Sequence, residues 1–150
     1  MVDAAKLRAL LARIGEQAER LRKYGRQSLA DYLGNEEGVL ASKYLLVTTI
    51  EDVLAVANHI IASEGYRSPA DYADGFRVLG ERGILEPALA HRLEAMARFR
   101  NLLIHVYAQV DDERVHRYLR QDLMDLDAFA TAVLTAFPGL GQREVSSEQG

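Results

Sequence analysis

The chain has 150 residues, no cysteine and a formal net charge of −4 at pH 7. That excludes disulfide staples and thiolate metal sites, and it argues against a protein that coats nucleic acid at large, which would carry a basic balance. With 49% apolar residues the length suffices for one domain with a real core.

The elements read as helix almost throughout. A first helix is expected from Asp3 to Leu33, because Leu7, Leu10, Leu11, Ile14, Ala18 and Leu21 recur at helical spacing. Gly15 and Gly25 weaken it, and a bend or break is expected near Gly25. A second helix runs from Glu37 to Ser63. Its middle, Tyr44 to Ile61, is apolar nearly all round and should be buried on more than one side. Ser68-Pro69-Ala70-Asp71 opens a short third helix, with serine as N-cap and proline as first helical residue, and Gly83 stops it. Pro87 opens a fourth helix reaching Gln109. Asp111 and Asp112 are N-cap candidates for a fifth, Glu113 to Phe137, with an interruption near Asp122 to Asp125. No strand alternation, repeat or low-complexity block appears. The expected fold is all-α: one up-and-down bundle of about five helices over residues 1–138, then a polar flexible tail over 139–150. A partly open bundle that completes its core as a dimer is the alternative. No uninterrupted apolar run of about 18 residues and no signal-peptide pattern is seen, so a cytoplasmic protein with no membrane association is expected.

The chemistry concentrates in the fourth helix. Its stretch Arg100-Asn101-Leu102-Leu103-Ile104-His105-Val106-Tyr107 sets a permanent cation and the side chain that titrates nearest neutrality among apolar residues. At about 100° per residue, Leu89, Leu93, Met96, Arg100, Leu103 and Tyr107 share a stripe, which gives Arg100 a core-like position. Arg100 and His105 lie about 140° apart on an ideal helix. Arginine's length, a distorted helix or a second copy across a two-fold axis would bring them together. Arginine and histidine together suffice for metal-free RNA cleavage: His105 as base or acid, Arg100 neutralising charge on phosphate, Asn101 orienting either. The plainer reading, a satisfied core histidine and a snorkelling arginine, stays open on these residues alone.

Arg100-Asn101-x-x-x-His105-x-Tyr107 matches without gaps the motif of the HepT-like branch of the HEPN superfamily, which the chain resembles over roughly residues 36 to 125. Ala57-Asn58-His59-Ile60-Ile61, Pro69-x-x-Tyr72 with Phe76 and Leu79, and Gly83-Ile84-Leu85 carry the resemblance further. It implies an all-α bundle that dimerises through the motif helices. It also implies a metal-independent endoribonuclease toxin of a type VII toxin–antitoxin pair, acting on tRNA or other cellular RNA without metal or cofactor. The implied partner is an MntA-type minimal nucleotidyltransferase antitoxin, in a homodimer or a higher assembly. On this reading Arg100 and His105 are catalytic, Asn101 supports them, and Tyr107 accepts AMP. Superfamily members often carry a polar residue on the second helix facing the motif; Glu51 and Asn58 are the candidates here, with a structural hydrogen-bonded pair as the alternative. A non-catalytic helical dimer that holds nucleotide or phosphate with Arg100 and docks a nucleotidyltransferase is the competing function. His91 and His116 are expected to be exposed, Tyr44, Tyr66, Tyr72 and Tyr118 to be packing residues, and Asp111-Asp112-Glu113 to be a helix start.

Overall fold

The computed structural model describes residues 1–105 and 111–141, and these are helical almost throughout. Asp3 accepts the Lys6 N–H and starts α1 (Ala4–Arg26). Ser28 caps α2 (Leu29–Gly34), and Asn35 caps α3 (Glu36–Glu64), which ends at Gly65 in the left-handed region, φ 67°. There follow α4 (Tyr72–Glu81), α5 (Pro87–His105), α6 (Asp112–Gln121), α7 (Met124–Ala136) and a closing 3-10 turn, Pro138–Gly141. The described residues thus hold seven α-helices where about five were expected. The two extra boundaries fall at Gln27-Ser28 and Asp122-Leu123, close to the interruptions read from the sequence.

One boundary moves. The helix expected third, here α4, begins at Tyr72, with Asp71 as its cap accepting the Asp74 N–H at 2.7 Å, not at Ser68. Asp74 explains this: its carboxylate takes both the Ala70 N–H and the Arg67 guanidinium, and these bonds hold residues 67–71 as a turn ahead of the helix. Arg67 reaches Glu81 as well. The Asp74 carboxyl is held well below the usual carboxylate range, by Arg67 first and the Ala70 N–H second.

The fold is arranged around α3, which packs against α1, α2, α4 and α5. By length and composition α3 could cross a membrane, but 61% of its most apolar window is buried inside the bundle, so it is the central core helix. Arg100 of α5 pairs with Glu51 of α3, and Lys43 nearer the start of α3 pairs with Asp112 at the head of α6. Leu140 is buried, so packed structure extends past residue 138 to the closing turn; residues 142–150 lie outside the described residues.

His116 is buried, contrary to expectation. Its Nε2–H donates to the Gln27 carbonyl at 2.8 Å and its ring lies on Tyr32, centroids 5.0 Å apart. It satisfies the carbonyl exposed where α1 breaks and ties α6 to the α1–α2 junction. Gly25 has a different role from the expected helix breaker. It stays helical, and a Cβ there would sit 2.6 Å from the Leu119 carbonyl oxygen, so its bareness lets α6 approach α1. Gly15 meets nothing within 4 Å. Gly25→Ala is therefore expected to destabilise the protein by about 1–3 kcal/mol through overpacking. Gly15→Ala should stabilise it by about 0.5–1 kcal/mol through helix propensity. Denaturant unfolding of the two variants checks this, and an equally stable Gly25→Ala would refute the close-approach argument.

Candidate functional site

Between Ser42 and Ile61, only Tyr44, Glu51 and Asn58 of α3 are exposed. They stand seven residues apart, and seven residues is nearly two full turns, so they form one open stripe on an otherwise covered helix. Of the described motif residues of α5, Arg100 lies against this stripe. Arg100 is half-buried, its side chain 16% exposed, and it reaches across to α3, where its Nη2 donates to Glu51 Oε1 at 2.8 Å. Its Nη1 donates to Asn101 Oδ1 at 3.1 Å. Its carbon Cζ stands 5.7 Å from the centroid of the Tyr72 ring on α4. Three helices therefore meet at one guanidinium.

The core-like position read for Arg100 holds only in part. Its stripe neighbours Leu89, Leu93, Met96 and Leu103 are buried, while the guanidinium is drawn out between α3 and α4. Its Nε is buried without a hydrogen-bond partner among the described residues. A partly unsatisfied buried cation costs stability. Neighbouring Leu93 and Ala97 are buried and apolar, so a plain hydrocarbon at 100 would pack well.

Asn101 and His105 are exposed on the last turns of α5, and no hydrogen bond joins His105 to Arg100 among the described residues. Leu102 and Ile104 are exposed on the same stretch. Val106 to Val110, including Tyr107, lie outside the described residues. The structure brings Glu51 to Arg100 but leaves Asn58 one step further along the stripe, beside α4: a Cβ on Gly75 would lie 3.8 Å from Asn58 Oδ1. The neighbouring pair at the same spacing has structural work instead. Asp52 accepts from Nε and Nη2 of Arg13, at 2.7 and 2.5 Å, and His59 Nε2 accepts the Asp3 N–H at 2.9 Å. Among the described residues no three acidic or histidine side chains converge as a metal site.

Sequence reasoning misjudged two tyrosines. Tyr72 and Tyr44, expected to pack, are 52% and 71% exposed. The signal for Tyr72 was its place three residues beyond Pro69, in a turn that aims it at α5. Tyr118 does pack, stacked on Phe99 at 4.8 Å, and burial pushes its hydroxyl pKa up. The arginines of residues 91–120 do not form one patch. Arg92, Arg114 and Arg117 line a recess beside Phe99 and Tyr118, where Asp122 and Asp125 answer them; Arg98 lies on another face with Arg67 and Arg77.

The family pattern described as ribonuclease HepT-like matches residues 14–133. The chain belongs to this family. A tRNA nuclease HepT of Aphanizomenon flos-aquae is 28% identical over 116 residues, which cover 76% of this chain and 78% of that protein. An MntA–HepT toxin–antitoxin crystal structure superposes with a TM-score of 0.79 at 18% identity, covering 87% of this chain and 98% of that one. YutE of Bacillus subtilis, a cytosolic protein of unknown function, superposes at 0.80 with 22% identity, covering 95% and 96%. A tri-AMPylated Shewanella oneidensis HEPN toxin in complex with MNT antitoxin superposes at 0.72 with 21% identity, covering 90% and 99%. At these identities the structural likeness establishes the HEPN-like helical fold.

An arginine at a position where an apolar side chain would pack well is expected to cost stability. Arg100→Met keeps the length and removes the buried charge and its unmet Nε. It is expected to unfold at the same temperature as the wild type or higher, because apolar replacements of imperfectly paired buried charges are neutral or stabilising. Thermal unfolding measures this. A loss of more than about 1 kcal/mol would mean that Arg100 is held in place for stability.

Proposed function

We propose that this protein is a metal-independent endoribonuclease and the toxin of a type VII toxin–antitoxin pair. The observation that carries the reading is the Arg100–Glu51 pair. An arginine half-sunk in the bundle is held by a carboxylate on one edge, on the same helix as exposed Asn101 and His105. The ribonuclease HepT-like match and the tRNA nuclease relative support RNA, tRNA included, as substrate. The toxin–antitoxin neighbours support an MntA-type nucleotidyltransferase as partner. Cellular RNA as target goes with a cytoplasmic protein.

The chemistry follows from the groups. A base removes the proton of a ribose 2′-hydroxyl, the oxygen attacks the adjacent phosphorus, and the 5′-oxygen leaves with a proton from an acid. His105 serves as base or acid. Arg100 neutralises charge on the phosphate through its remaining N–H donors. Glu51 fixes the guanidinium, Asn101 orients phosphate or histidine, and Asn58 lies next along the α3 stripe. One histidine cannot give and take a proton in the same step, so a homodimer supplies the second. Exposed Leu102 and Ile104 on α5, with Leu40 and Tyr44 on α3, supply apolar surface for the partner copy.

Purified protein is expected to cut RNA in the presence of EDTA, leaving 2′,3′-cyclic phosphate ends. Folded Arg100→Ala and His105→Ala should each lose on the order of 100-fold or more in rate. Glu51→Ala should lose about tenfold, since it loosens a positioned cation without removing it. A folded variant that cuts as fast as the wild type removes that residue from the mechanism. No cutting by the wild type at all would favour the non-catalytic docking module.

Tyr107 is the proposed AMP acceptor, two residues beyond His105. An attached AMP brings a bulky anion beside Arg100 and blocks the RNA path. Incubation with the cognate nucleotidyltransferase and ATP should add one or more AMP groups to the Tyr107 peptide, read by mass spectrometry, with loss of cleavage. Unchanged labelling of Tyr107→Phe rejects the assignment.

A further inference from the structure

Beside Arg100 lies a recess of about 320 Å³ lined by Asn58, Pro69, Asp71 and Tyr72. Its parts are held firmly. The turn that carries Pro69, Asp71 and Tyr72 starts at left-handed Gly65 and is clamped by Arg67 on Asp74 and Glu81, and by the Ala70 N–H on Asp74. Tyr72 is fixed at the first position of α4, with one side of its ring near the Arg100 guanidinium and half its surface open. Asn58 adds an exposed amide that makes no hydrogen bond among the described residues.

The lining selects its occupant. The walls are largely apolar, with an aromatic ring and a proline. The polar groups at the rim are an amide, which both donates and accepts, and the Asp71 carboxylate, which only accepts. A carboxylate repels phosphate, so the recess does not fit the RNA backbone. A flat, uncharged group with N–H donors on its edge fits all four residues, and a nucleobase is such a group. Aromatic side chains commonly serve as stacking platforms for unpaired bases in single-stranded RNA.

We propose that this recess binds the nucleobase adjoining the scissile phosphate. Tyr72 stacks on the base, Asn58 and Asp71 read its edge, and bases bearing an exocyclic amino group are preferred to uracil. Arg100 joins the two halves of the site, its face toward Tyr72 and its free donors toward the phosphate. Tyr72 is thus a substrate-binding and specificity residue, not a packing residue. This rests on the ribonuclease reading above.

The test uses full-length protein and short RNAs that differ only in the base flanking the cut. Tyr72→Ala should raise KM about tenfold or more, the equivalent of one lost base stack, with a smaller change in kcat. Tyr72→Phe should restore most of the affinity, since the ring does the stacking. Asp71→Asn, which keeps the helix cap, should flatten the preference for amino-bearing bases over uracil. A readout free of activity uses His105→Ala with RNA carrying 2-aminopurine: quenching on binding should persist with Tyr72→Phe and vanish with Tyr72→Ala. Wild type that cuts RNA, with Tyr72→Ala unchanged in KM, base preference and quenching, overturns this proposal alone. Wild type that cuts no RNA overturns the ribonuclease reading and this proposal with it.

Discussion

A 29-residue helix too apolar to face water has to be covered, and the fold is the way its neighbours cover α3. Water does not solvate such a surface without cost, so α1, α2, α4 and α5 pack around it. The covering is nearly complete. Of the positions left open between Ser42 and Ile61, Glu51 and Asn58 stand in the seam where α5 and α4 border α3. The candidate site sits in that seam because the seam is where a polar side chain can stand on α3 without being buried unpaired. Glu51 uses it to hold Arg100, and Asn58 uses it to face the α4 turn.

Arg100 then shows what the seam is for. Its backbone belongs to the apolar stripe of α5, between buried Met96 and Leu103, yet its guanidinium bonds to a half-exposed carboxylate, with a side-chain exposure of 45% for Glu51. An ion pair that open to solvent contributes little to stability, of the order of 0–1 kcal/mol. Against it stand the desolvation of the guanidinium and a buried Nε without a partner among the described residues. The interaction is weak as glue: it fixes two N–H groups, on Glu51 and Asn101, and in the proposed mechanism the other Nη donors are left for an anion. A purely structural role would be better filled by an apolar side chain, and the local economics of the helix point to chemistry.

The sequence made the helices legible wherever local rules decide them. The periodic leucines of α1, the all-round apolar α3, Pro87 at the head of α5 and the break near Asp122 each follow from spacing, propensity or capping, and the structure agrees. The motif was equally legible, because Arg100 and His105 break an apolar pattern. The failures came where a distant group decides. α4 starts at Tyr72 because Asp74, inside the helix, engages Arg67 and Ala70 ahead of it, a choice that composition at Ser68-Pro69 could not disclose. His116 is buried because α1 breaks at Gln27 and leaves a carbonyl to satisfy. Gly25 is needed for its contact with α6, not for the break next to it. Glu51 was legible through the family resemblance as a polar residue facing the motif, while its companion Tyr72 was visible only as a spacing from Pro69.

The same geometry bears on the proposal that two copies complete the site. His105 lies over a helix turn beyond Arg100 and on another face of α5, so the two side chains diverge within a protomer. Exposed leucine and isoleucine flank the histidine at 102 and 104, on a helix whose opposite side is already committed to the core. Apolar residues in that setting gain from being covered by another surface. In the proposed dimer that surface is the same helix of a second copy, since a two-fold axis makes one apolar patch complementary to itself. The axis would also bring a second histidine toward the seam that holds Arg100. Covering the apolar turn and completing the proton chemistry would then be one event, and a monomer would lack both.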